Sequence, residues 1–127
     1  MKFLCLGYFE PAKMDARPQA EIEAIMGECM AVLPGFLGSG QVLLDAGLQV
    51  TAKRLRRVEG VVRIEDGHVI EDRRMIGSVS IIEAEDLDEA VRVASLHPSA
   101  QVAAGEQLGW TLEVRAIHSF NEPGGAT

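Results

Sequence analysis

The chain of 127 residues contains only two cysteines, Cys5 and Cys29, and three histidines. Two cysteines cannot build a disulfide framework, and neither residue type shows the short paired spacings of a zinc site. Free thiols in a reducing compartment are the simpler expectation, so a cytoplasmic protein without metal is predicted. Missing as well is any run approaching the roughly 18 uninterrupted apolar residues of a membrane span. The opening "MKFLCLGYFEPAK" has one early lysine and an apolar run that stops at Glu10, without the small-residue cleavage pattern of a signal peptide. Positive charge is in short supply: 12 Lys and Arg stand against 19 Asp and Glu, a net charge of −7. General binding to nucleic acid is disfavoured, because such proteins collect cations to displace counterions from phosphate. No Gly-x-Ser-x-Gly elbow, phosphate loop or dinucleotide fingerprint is present, so the large enzyme classes that use them gain no support and no cofactor is implied.

What is there reads as one ordinary domain. Apolar residues make up 47% and charged residues 24%, close to the globular average. The domain is expected over residues 1–120, followed by a disordered tail, "NEPGGAT", over residues 121–127. "KFLCLGYFE" is apolar on both alternating sets of positions, which predicts a strand buried on both faces. Pro18 suits the first position of a helix. Ile22, Ile25, Met26, Cys29, Met30, Leu33 and Leu37 follow at three- and four-residue spacing, so one helix face is expected to carry them all. Pro34 inside that pattern removes a hydrogen bond and predicts a kink or an early end.

"QVLLDAGLQV" reads as a second strand. The next segment reads as extended pieces turning at Glu59-Gly60 and again at Asp66-Gly67, since residues that tolerate positive φ mark tight hairpins. "GSVSIIEA" alternates Val79 and Ile81 against Ser78 and Ser80, a further strand. Asp86 to Glu89 has the form of a capping box opening a second helix with Leu87, Ala90, Val91 and Ala94 on its stripe; His97-Pro98 should end it. "WTLEVRAIHSF" alternates as a last, half-buried strand. The order is βαββαβ with an inserted hairpin, an α+β ferredoxin-like sandwich with two helices on one face of an antiparallel sheet. Burying the opposite face calls for a second copy of the chain, so a homodimer joined sheet to sheet is predicted.

Several stretches carry a family resemblance: "MKFLCLGYF", the "ECM" of the first helix, "EDGHVIEDRRMIGSVSIIEAEDLDEAVRVASLHP" and "LEVRAI". Together they resemble the YCII-related family, and in particular its DGPF branch, from Met1 to about Phe120. Asp66 and Gly67 match the first two positions of the branch's Asp-Gly-Pro-Phe, while His68 and Val69 replace Pro and Phe. The resemblance implies a dimeric α+β barrel of ferredoxin-like subunits. It also implies, through the family's frequent placement beside genes for extracytoplasmic-function sigma factors, a regulatory or accessory role. The YCII branch is proposed to use a His on the first helix and an Asp before a Pro after the second; here Cys29 and His97 fall at those places, so that His/Asp pair is not retained.

Each candidate residue has two open readings. Cys29 and His97 form either a thiol–imidazole pair or, respectively, a small buried hydrophobe and a helix-end residue. Asp66 is a turn residue or a carboxylate acting as base in a cleft. Arg73 and Arg74, within "EDRRM", belong to a solvated connection or present a guanidinium to a carboxylate or phosphate. His118 is a satisfied histidine of the last strand or a ligand contact at the dimer interface. Lys53, Arg54, Arg56 and Arg57 form a local basic patch, either a solvated hairpin or a site for an acidic ligand or partner. The first functional expectation is a small-molecule-binding or regulatory accessory protein; the alternatives are a small hydrolase or lyase lined by Cys29, Asp66 and His97, and a partner-binding module linked to sigma-factor regulation.

Overall fold

The computed structural model describes residues 1–66 and 74–124. The first strand, β1 (Lys2–Phe9), turns Phe3 and Cys5 inward at 1% exposure each, while Leu4 and Leu6 on its other face are half-buried. A short helix, α1 (Pro11–Asp15), leads to the long α2 (Gln19–Leu37), for which Pro18 is the N-cap. Its inward face carries Ile25, Cys29, Val32 and Phe36, spaced four, three and four residues apart, with Leu33 packed beside them against the core. That one stripe fills the width a helix can bury against a sheet. Met26, Met30 and Leu37, expected on the same face, lie on the neighbouring stripe and remain 46%, 68% and 44% exposed. The helix also passes Pro34 and continues to Leu37, because the proline sits on the exposed side while Phe36, fully buried, anchors the last turn.

Strand β2 (Val42–Gly47) is followed by β3 (Lys53–Val58) and β4 (Val61–Asp66), which pair with each other in a two-stranded ribbon. Their two-residue turn has positive φ at both Glu59 (50°) and Gly60 (82°), the mirror-image geometry whose twist suits a hairpin. The second expected turn begins at Asp66, the last residue of β4, and its Gly67 lies outside the described residues.

Strand β5 (Met75–Glu83) precedes α3 (Leu87–Ala94), where Asp86 Oδ1 accepts a hydrogen bond from the Glu89 amide at 2.8 Å. The Glu89 carboxylate reaches back to the Glu85 amide at 2.9 Å, one residue earlier than in the strict capping box. Helix α3 stops at Ala94, and Pro98 opens the short α4 (Pro98–Gln101), followed by α5 (Gly105–Leu108) and the final strand β6 (Thr111–Ala116). Of the expected tail, Asn121 to Gly124 is described and residues 125–127 lie outside the described residues.

The main sheet has the order β2-β5-β1-β6, antiparallel throughout. With the ribbon set aside, that is the strand order of a ferredoxin-like sandwich. The helical layer covers one face around Phe3, Phe36, Ile82, Ala90 and Val93, and a second apolar cluster joins Ile25, Val102 and Leu108 beneath Trp110. On the opposite face Leu4, Leu6, Ala46, Val79 and Ile81 are half-buried, and Leu44 is 49% exposed.

Candidate functional site

Among the described residues, two places bring chemistry-bearing side chains together. The first lies in the packed layer between sheet and helices. Strand register sets Ser80 beside both Asp45 and Cys5, making one row across β2, β5 and β1. The Ser80 hydroxyl, 1% exposed, donates to Asp45 Oδ1 at 2.8 Å. His97 is buried at 7% exposure, edge-on to Phe36 with ring centroids 5.0 Å apart. Its Nδ1 accepts from the Ser99 amide at 3.0 Å and caps α4, so the neutral ring carries its proton on Nε2. Burial lowers the pKa of His97, and the Asp45 carboxylate partly opposes that by attracting the imidazolium. Burial, reinforced by the same carboxylate, pushes the Cys5 thiol up to about 11. A neutral thiol, a neutral imidazole and one carboxylate bonded to a hydroxyl therefore share this layer.

The second place is a cleft of about 1650 Å³ at the far end of the sheet. Tyr8, Glu10, Lys13, Met14 and Arg17 form one wall, the connector carrying Leu48, Val50 and Thr51 together with Arg54 forms another, and Arg74, Met75 and Ile76 complete it. The Arg74 guanidinium lies 5.0 Å over the Tyr8 ring and donates to Thr111 Oγ1 at 3.3 Å. Stacking and hydrogen bonding fix its plane, as a guanidinium that receives an anion requires. Tyr8 Oη in turn donates to Glu113 Oε1 at 3.4 Å. Lys13 pairs with Glu10 at 2.9 Å, while Arg17 pairs with Glu21 and donates to Gln107 at 2.9 Å. Gly109, with φ 73°, lies against the Glu10 carboxylate; a β-carbon there would overlap it, so the glycine lets that wall close.

The residues singled out by sequence are dispersed. Cys29 is half-buried in the cluster of Ile25, Val102 and Leu108, where burial and then the neighbouring Glu28 charge raise its pKa. His97 packs on Phe36, seven residues further along α2, which is about 10 Å at the helical rise. Asp66 sits on the ribbon, paired across the strands with Lys53 at 2.7 Å and with its side chain 67% exposed. Arg74 lies in the cleft wall. Arg73 and His68 lie outside the described residues. His118 is exposed, two residues past the end of β6. Among the described residues no group of three or more His, Cys, Asp and Glu is arranged to hold a metal ion. Sequence reasoning missed Asp45, Ser80, Tyr8, Lys13 and Arg17. For Asp45 a signal existed, as the one charge in "QVLLDAGLQV".

A four-stranded antiparallel sheet in this order, covered on one face by helices, defines an α+β protein of the ferredoxin-like class. Within that class the chain belongs to the YCII-related domain family, which it matches over residues 1–109. Among solved structures it is similar to 5-chloro-2-hydroxyhydroquinone dehydrochlorinase (TftG) from Burkholderia phenoliruptrix in complex with 2,5-dihydroxybenzoquinone. The two share 20% identity over 94% of this chain and 96% of that one, with a TM-score of 0.44. Compared with curated proteins, the chain has no match.

Proposed function

We propose that this is a small-molecule-binding accessory protein of the DGPF branch, acting in the cytoplasm as a homodimer, with its ligand held in the cleft at the sheet end. The observation that carries this reading is the guanidinium of Arg74, stacked on Tyr8 and tied to Thr111 at the wall of a cleft that also presents Lys13, Arg17 and Arg54. Arg74 and Arg54, beside Lys13 and Arg17 held in ion pairs with Glu10 and Glu21, and apolar surface from Met14, Ile22, Leu48 and Val50 fit a small organic carboxylate: its charge meets the Arg74 guanidinium and its carbon skeleton meets the aliphatic wall. The homodimer is supported by the half-covered sheet face of Leu4, Leu6, Val79 and Ile81, and the cytoplasmic setting by two free cysteines.

The binding reading is preferred to a thiol enzyme because the shifts at Cys29 and His97 run the wrong way for an ion pair: the thiol is raised and the imidazole lowered. A regulatory role is compatible with the same site, since a bound metabolite can report to a partner. The test is calorimetric titration with a panel of small aliphatic and aromatic carboxylates, each beside its neutral amide. At least one acid is expected to bind, its amide to bind far more weakly, and Arg74→Ala to weaken the acid by about tenfold or more. Equal binding of acid and amide, or an Arg74→Ala variant that binds like the wild type, overturns the assignment.

A further inference from the structure

The ribbon of β3 and β4 carries an apolar surface that the described residues of its own chain leave open. Leu55 and Ile64 pair across the strands at 62% and 67% exposure, and Val62, 56% exposed, stands on the same face opposite Arg57. An isolated two-stranded ribbon with its apolar face in water is at best marginally stable. The long helix α2 has the matching deficit: Met26, Met30 and Leu37 form an exposed stripe beside its buried one. Charge distinguishes the two surfaces. On the face of Leu55, Val62 and Ile64 the register places two cations, Lys53 and Arg57, against one carboxylate, Asp66, while Arg54, Arg56 and Arg63 stand on the other face. Helix α2 has Glu21, Glu23 and Glu28 and no Lys or Arg, and Glu23 lies on the methionine stripe by helical spacing.

We infer that the ribbon is an arm that grips a second copy of this chain, laying Leu55, Val62 and Ile64 on the Met26–Met30 stripe of the other copy's α2, with Arg57 directed at Glu23. In a two-fold pair each copy gives one arm and receives one, so both unpartnered surfaces are used twice. Methionine suits the receiving side, because its flexible thioether adapts to a twisted ribbon. The arm rests on the homodimer proposed above and adds a contact distinct from the sheet face.

Sedimentation equilibrium on the full chain tests it. Ile64→Lys and Arg57→Glu are each expected to raise the dimer dissociation constant by about tenfold or more, and Arg57→Glu with Glu23→Arg in the same chain to restore it. Circular dichroism confirms that each variant is folded, with the outward Val61→Lys as a control that leaves the dimer unchanged. A wild-type chain that stays monomeric overturns arm and dimer together. A dimer indifferent to Ile64→Lys but broken by Val79→Lys overturns the arm alone and leaves the sheet contact standing. Loss of the dimer in Arg57→Glu without rescue by Glu23→Arg overturns the assignment of α2 as the receiving surface.

Discussion

Ile82 and Ile64 are the same side chain on two strands of one protein, yet Ile82 is fully buried and Ile64 is 67% exposed. Ile82 lies on β5 beneath the helices with Phe3 and Phe36, where removal from water contributes about 1.5–3 kcal/mol. Ile64 gains only a fraction of that from Leu55 across the ribbon. The main sheet and its helices are a structure the single chain completes by itself. The ribbon has the alternation of a strand pair without, among the described residues, the covering layer that makes one stable. That contrast ranks the effect of substitutions by place rather than by residue type.

The largest effect is expected at Phe36, where the core touches both α2 and His97. Phe36→Ala should cost about 3–5 kcal/mol, read as a shift in the midpoint of denaturant unfolding. A loss below about 1 kcal/mol would show that the helical layer is no better packed than the ribbon and would erase the distinction.

Acid should act on the core through His97. His97 is held below its usual 6.5 chiefly by burial, so between its folded and unfolded pKa values the unfolded chain binds the extra proton. Its contribution is complete above about pH 6.5 and falls as the pH drops, at no more than about 1.4 kcal/mol per pH unit. His97→Asn keeps a side-chain acceptor for the cap of α4 and removes the titration. Unfolding midpoints measured from pH 7.5 to 5 should therefore slope downward in the wild type and flatten in the variant, and equal slopes would place the acid sensitivity elsewhere.

Ser80→Ala tests the same layer more gently, since it deletes one buried hydroxyl and the bond to Asp45. About 1 kcal/mol of stability is expected to go, and a neutral result would show that Asp45 is satisfied by water instead.

Much of this architecture was legible in the chain, for reasons that also mark where legibility ended. Alternation located β5 and β6, an apolar run on both alternating sets located β1, and Asp86 with Glu89 located the start of α3, because period and capping are local properties. Alternation gives a period without saying which phase faces in. On β5 the serine set, with Ser80, turned inward, since Asp45 on the next strand supplies the bond that makes a buried hydroxyl tolerable. On α2 the seven apolar residues expected on one face do not share it: Ile25, Cys29 and Leu33 pack inward beside Val32 and Phe36, which the pattern had not included, while Met26, Met30 and Leu37 stay exposed. The helices α4 and α5 are too short, at four residues each, for a periodic signal. The cleft was out of reach altogether: Tyr8, Arg54 and Arg74 come from three distant segments that only the folded sheet end brings together.

The smallest effect is expected at Asp66, and it is the most discriminating. Asp66 and Lys53 pair at 2.7 Å with side chains 67% and 64% exposed, so water screens the charges and the entropy of fixing two side chains opposes the bond. Asp66→Ala should shift the unfolding free energy by less than about 1 kcal/mol, as exposed pairs do. It should also leave carboxylate binding in the cleft unchanged, because the cleft wall is made by Arg54 and the connector before it and not by the end of β4. A near-wild-type result on both counts makes the Asp-Gly signature a matter of turn chemistry. A variant that folds normally and loses the ligand would instead join the ribbon to the site, and the division between a self-sufficient core and an exposed ribbon would have to be redrawn around Asp66.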